Sequence, residues 1–170
     1  MRVASVADLG VALHANVVTV ERTVPAPPAA VFALLADAAN HPLLDGSGSV
    51  KSARSGGRQP LQLGSEFGMS MKMGLPYQTK NTVTEYEPDR LIAWRTEAML
   101  PFGRSFGGRT WRYELEPTGS GTRVRETWDV SQDTVGPVLA RTFATKTRQD
   151  MLRTLQRIEA HVTAAEDELT

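Results

Sequence analysis

Apolar and β-branched residues crowd positions 16–24, a pattern that predicts a strand ending at Pro25-Ala26-Pro27-Pro28. Pro28 suits the first turn of a helix, where its missing N–H costs nothing. Val31, Phe32, Leu34 and Leu35 then give that helix one apolar side. A second short helix is expected over 38–44, closed by Asp45-Gly46-Ser47-Gly48. Beyond it the period changes to that of strands, expected at 49–55, 66–73, 77–87, 90–99, 109–116 and 122–130. Gly74-Leu75-Pro76, Pro88-Asp89 and Thr118-Gly119-Ser120-Gly121 punctuate them, so the links are short and the pairing antiparallel.

The last hairpin is the most sharply defined. Trp111, Tyr113 and Leu115 alternate with Arg112, Glu114 and Glu116, while Val124, Glu126, Trp128 and Val130 alternate with Arg123, Arg125, Thr127 and Asp129. A four-residue loop at 118–121 pairs Leu115 with Val124, Tyr113 with Glu126 and Trp111 with Trp128. It also sets Glu114 opposite Arg125 and Glu116 opposite Arg123, each pair worth up to about 1 kcal/mol. One face is aromatic and the other charged. After Val130, helical spacing returns: Met151, Leu155, Ile158 and Val162 form a stripe, with Leu152 beside it. This helix is expected to begin between residues 140 and 147, with Gly136-Pro137 as a break or a separate first turn.

The layout predicts an α+β fold in which a curved antiparallel seven-stranded sheet wraps around a long C-terminal helix, with two short helices after the first strand. The long helix is the one element able to cover the sheet's apolar face. In that order of elements the chain resembles the helix-grip superfamily of START-like and polyketide cyclase/dehydrase-like proteins, the SRPBCC group. The likeness rests on three stretches. They are Val18-Thr19-Val20-Glu21-Arg22-Thr23-Val24-Pro25-Ala26-Pro27-Pro28-Ala29-Ala30-Val31-Phe32, Asn81-Thr82-Val83-Thr84-Glu85-Tyr86-Glu87-Pro88-Asp89-Arg90-Leu91-Ile92-Ala93-Trp94, and Trp111-Arg112-Tyr113-Glu114-Leu115-Glu116-Pro117 with Gly121-Thr122-Arg123-Val124. These are turn and core patterns, specific for fold. The resemblance implies a cavity for a hydrophobic ligand and transfers no reaction.

Composition narrows the function classes. The 170 residues are 41% hydrophobic and 22% charged, and 19 Lys plus Arg balance 19 Asp plus Glu. No whole-protein basic field invites nucleic acid, and no membrane insertion is expected. With no cysteine, thiol chemistry and Cys-ligated metals are excluded. Residues 1–15 read as an N-terminal extension or short docking helix, since Asp8 interrupts any signal-peptide core. A single domain over 16–165, an acidic tail over 166–170, a cytoplasmic location and a monomer or homodimer are the expectations.

Candidate chemistry centres on Glu126, whose alternation puts a carboxylate on the aromatic face. There it would orient a ligand hydroxyl or act as a general acid/base, unless Arg109 or Arg148 pairs with it. Arg109 continues the inward parity of Trp111 and Tyr113, so it either contacts a ligand carboxylate or points to solvent. Asn81 shares a face with Val83 and must find partners. Phe67, Met69 and Met71 alternate along one strand, Met73 continues them, and Trp94 extends the lining. Together with Trp128, Met151 and Leu155, these residues would form the ligand-binding wall. Phe102 and Phe106, among three glycines, suggest a gate or a dimer contact.

His14, His41 and His161 lie far apart in sequence, so no metal and no cofactor is expected, and His41 reads as a helix-end or surface residue. Lys51, Arg54 and Arg58 read as a solvated loop. Binding of a small hydrophobic or amphipathic ligand leads. A cyclase- or dehydratase-like enzyme using Glu126 and an interaction protein with a filled core are the alternatives.

Overall fold

A computed structural model describes residues 16–55 and 60–167; the expected extension at 1–15 and Arg58 lie outside them. Seven strands form one antiparallel sheet: β1 (Val17–Val24), β2 (Val50–Ser55), β3 (Glu66–Met73), β4 (Leu75–Glu87), β5 (Leu91–Met99), β6 (Ser105–Thr118) and β7 (Gly121–Asp129). Their order is β1-β7-β6-β5-β4-β3-β2, so only β1 is out of sequence, closing the meander on β7. Between β1 and β2 lie α1 (Pro28–Leu35), a 3₁₀ turn (Ala38–Asn40) and α2 (His41–Leu44). The helix α3 (Gly136–Asp167) follows β7. This is the α+β helix-grip architecture that the apolar pattern predicts.

The β6–β7 register is Leu115↔Val124, Tyr113↔Glu126 and Trp111↔Trp128, with Glu114↔Arg125 and Glu116↔Arg123 on the outer face, as the alternation requires. Outside, the charges run on as a ladder. Arg125 pairs with Glu21 of β1, and Arg112 reaches both Glu114 and, at 3.1 Å, Glu85 of β4. Ala93 of β5 lies opposite both Arg112 and Glu85, and its small side chain lets that bridge span three strands.

Three boundaries differ from expectation, each for a physical reason. β4 begins at Leu75 because Met73 pairs directly with Leu75, leaving Gly74 alone at the turn with φ +74°, which a glycine adopts at no steric cost. β6 begins at Ser105 because Met99 pairs with Ser105; the Phe102–Gly108 link shrinks to a turn in which Leu100 N–H donates to the Arg104 carbonyl. The helix α3 begins at Gly136, since Pro137 occupies the first turn, where no N–H is needed. Gly136 also lies so close to the Val130 carbonyl that a Cβ there would come within 2.0 Å of it.

Inside, Val18, Val20, Phe67, Val83, Ile92, Tyr113, Val124 and Trp128 meet Met151, Leu155, Ile158 and Val162 of α3 in one buried core. The helix extends to Asp167, into the acidic tail.

Candidate functional site

Sheet and α3 bring most of the sequence-predicted wall together. Phe67, Met69, Val83, Trp94, Tyr113, Trp128, Met151 and Leu155 are buried, and Met71 and Trp111 are partly buried against the same core. The methionine row fades along β3: Met69 is enclosed, but Met73, past the end of the core, is 62% exposed. Trp111 and Trp128 lie 6.4 Å apart, paired by the register.

Glu126 sits at the centre of this wall, 1% exposed. The Tyr113 hydroxyl donates to its Oε1 at 2.8 Å, and its Oε2 is buried with no hydrogen-bond partner. Neither Arg109 nor Arg148 bonds it. Burial drives the carboxyl up to about 8, the Tyr113 bond opposing and the charge of Asp45 adding. For Tyr113, burial first and then Glu126 push the phenol well above its usual value.

The pair is backed by a column of rings. Tyr113 stacks on Trp94 at 5.5 Å, and Trp94 stacks on His41 at 4.8 Å with 22° between planes. Phe67 meets both Trp94 and His41 edge-on. His41 donates from Nε2 to the Leu35 carbonyl at 2.9 Å, and burial lowers its pKa, keeping the ring neutral. His41 does stand at a helix end, opening α2, but its ring is not a surface group: the four-residue helix delivers it onto a strand-β5 tryptophan, a contact no local pattern encodes. Phe102 is fully exposed and Phe106 partly so, on the β5–β6 turn.

Asn81 is buried and engaged by the protein: its amide donates to the Phe67 carbonyl at 3.2 Å and its Oδ1 accepts from Thr96 at 2.7 Å. Those bonds tie β3, β4 and β5 together.

Arg109 lies at the opposite end of the β6 face, its Nε 3.8 Å from Asp133 Oδ2. That separation is an ion pair without a hydrogen bond, and both atoms are buried and otherwise unpartnered. Asp133, in the β7–α3 link, escaped the sequence reading. Its one signal is an acid just ahead of Gly136-Pro137, and Oδ1 indeed accepts the Val135 N–H at 2.9 Å.

The loop after α2 seals the near side. Asp45 accepts from Ser47 and from Val50 N–H, and Gly46 N–H donates to Thr154 Oγ1 of α3 at 3.0 Å. Two surface depressions, of about 490 and 510 Å3, lie one along the arginine ladder and one over β3–β4, where Phe67 and Thr79 reach it; neither is lined by Glu126, Trp111 or Trp128. Among the described residues, no group of three His, Asp or Glu is placed to hold a metal, and no helix is long and apolar enough to cross a membrane.

Residues 16–163 match the family described as polyketide cyclase/dehydrase and lipid transport. The chain belongs to that family. A similar protein of Mycobacterium tuberculosis, the uncharacterised Rv0088, is 39% identical over 110 residues, covering 62% of this chain and 44% of that one. The match thus spans under half the length of this curated relative. Among solved structures, protein Ms6760 of Mycobacterium smegmatis superimposes with a TM-score of 0.69 at 14% identity, covering 89% of this chain and 93% of that one. DynU16, from the dynemicin biosynthetic locus, gives 0.61 at 14% identity, covering 88% of this chain and 48% of that one. These likenesses establish the shared fold. Family and fold together support a ligand-binding role for this member.

Proposed function

We propose that this protein binds a small hydrophobic or amphipathic molecule, of lipid, polyketide or polycyclic type, between the inner sheet face and α3. Glu126 carries the proposal. A carboxyl group buried on an aromatic sheet face with one of its two oxygens unpartnered costs several kcal/mol. A ligand hydroxyl or carbonyl at Oε2 would offset that cost, while the aromatic wall supplies desolvation energy. Room for the ligand would come from outward movement of the loop 45–49, whose Asp45 acts electrostatically on both Glu126 and Tyr113.

The test is native mass spectrometry of freshly purified protein with solvent extraction, together with uptake of an apolar fluorescent dye. A defined co-purifying mass, or dye uptake that Glu126→Leu or the Trp111→Ala/Trp128→Ala pair weakens, supports the reading. A bare polypeptide mass with no dye uptake overturns it and favours an interaction domain with a filled core.

A second reading, cyclase- or dehydratase-type catalysis, is favoured by one observation: the Glu126 carboxyl at about 8 exchanges its proton near neutral pH, as a general acid/base must. Under that reading Glu126→Gln keeps binding and abolishes turnover.

A further inference from the structure

Among the described residues four buried side-chain polar atoms lack hydrogen-bond partners, and apart from Asn16 Oδ1, just ahead of β1, they fall at two stations along the inner face of β6. Glu126 Oε2 marks one, beside Tyr113. Arg109 Nε and Asp133 Oδ2 mark the other. Arg109 and Tyr113 have the same inward parity on β6 and are four residues apart, a separation of about 13 Å along a strand. Trp111 lies midway between them, with Trp128 beside it across the register. The stretch between the two stations is therefore apolar and aromatic.

The far station has its own geometry. Arg109 Nε offers a donor and Asp133 Oδ2 an acceptor, 3.8 Å apart, too far to satisfy each other. A group that accepts from one and donates to the other fits both at once, as a hydroxyl or a primary amide does. The backbone is cut away here: Gly107 has φ +97°, and a Cβ on it would lie 3.2 Å from Asp133 Oδ2 and 3.8 Å from the Arg109 guanidinium.

Resting on the binding function proposed above, we infer that the ligand is an elongated molecule with a polar group at each end of an apolar framework, one end held by Glu126 and the other between Arg109 and Asp133. With about 1.25 Å of advance per bond in an extended carbon chain, about ten bonds span the stations. A molecule with one polar end leaves one station unpartnered, and a much shorter or longer one cannot reach both.

Competition against a bound apolar dye tests this, with straight-chain 1,ω-diols shorter and longer than the span set against 1-alkanols of equal length. A second hydroxyl without a partner must be stripped of water, so an unanchored diol binds more weakly than its alkanol at every length. The expected result is a length optimum near ten carbons at which the diol competes at least as well as the alkanol. Arg109→Met then weakens that diol about tenfold, the cost of one lost buried hydrogen bond, and removes its advantage over the alkanol of equal length. Asp133→Asn, which retains the acceptor for Val135 N–H and replaces Oδ2 with a donor, does the same if Arg109→Met folds poorly. Alkanols winning at all lengths, or an optimum that survives both substitutions, overturns the two-station ligand while the binding function stands. If the dye and both series fail to bind, the binding function itself falls and this inference with it.

Discussion

Tyr113 and Glu126 face each other directly across the β6–β7 register, the phenol donating to Oε1 at 2.8 Å while Oε2 has no donor. The pair resolves in favour of a proton: folded, the carboxyl titrates at about 8 against an ordinary 4.5. A raised folded pKa contributes stability that is fully present below about 4.5 and is lost as pH rises through about 8. At roughly 1.4 kcal/mol per unit, the loss across that window reaches several kcal/mol. Glu126→Gln keeps an acceptor for Tyr113 and removes the titration. Between about pH 5 and pH 8 the urea midpoint of the natural protein should fall relative to that of the variant, in which the His41 contribution is unchanged. Parallel profiles would mean that Glu126 is ionised in the fold.

His41 works in the opposite sense. Burial depresses its pKa below the ordinary 6.5, so the unfolded chain takes up the proton first as pH falls. The stability held by the neutral ring is present above 6.5 and is lost toward acid pH. His41→Phe retains stacking on Trp94 but strands the Leu35 carbonyl, at a cost of about 1 kcal/mol. The two stability curves should therefore converge as pH falls, the variant less stable at alkaline pH and the natural protein losing more on acidification. A constant offset would show that the ring does not titrate with unfolding.

Gly46 and Gly48 share one short loop yet should respond oppositely to alanine. A Cβ on Gly46 would come within 2.1 Å of the Asp150 carbonyl and 2.6 Å of Thr154 N, both backbone atoms of α3 that cannot give way. Gly46→Ala must push the loop off the helix and break the bond to Thr154, at about 3 kcal/mol. Gly48 has open space around it and pays only for its left-handed φ of +68°, about 1 kcal/mol. Thermal midpoints of the two variants should differ by several degrees. Equal midpoints would mean that the loop does not rest on α3.

The hairpin of β6 and β7 was legible residue by residue because one face is charged and the other aromatic, so a slip by one position would bury arginines. For the same reason Glu126 stands out in the sequence: it breaks the apolar face at a known position. What escaped depends on contacts remote in sequence. His41 is decided by Trp94, more than fifty residues away, and Asp133 by Arg109. The register shift between Val83 and Glu85 turns Tyr86 toward Phe32 of α1, at 5.3 Å, which alternation alone would not place there. The start of α3 was misread because Gly136-Pro137 signals a break in isolation. In the fold, the glycine clears the Val130 carbonyl and the proline opens the helix.

Phe102 combines a left-handed backbone, φ 64°, with a fully exposed ring at the β5–β6 turn. An L-residue with a bulky side chain pays about 1 to 2 kcal/mol for that conformation, whereas asparagine adopts it more readily. In the isolated chain the ring gains nothing to offset the strain. Phe102→Asn should therefore leave stability unchanged or raise it by up to about 1 kcal/mol, without altering the sedimentation coefficient. Glycine would be a poorer probe, because its added freedom in the unfolded chain cancels part of the gain. Loss of stability together with a fall in sedimentation would show that the ring is covered in solution by a second copy, making the turn a dimer contact. Urea unfolding and sedimentation velocity on the same samples separate the two outcomes.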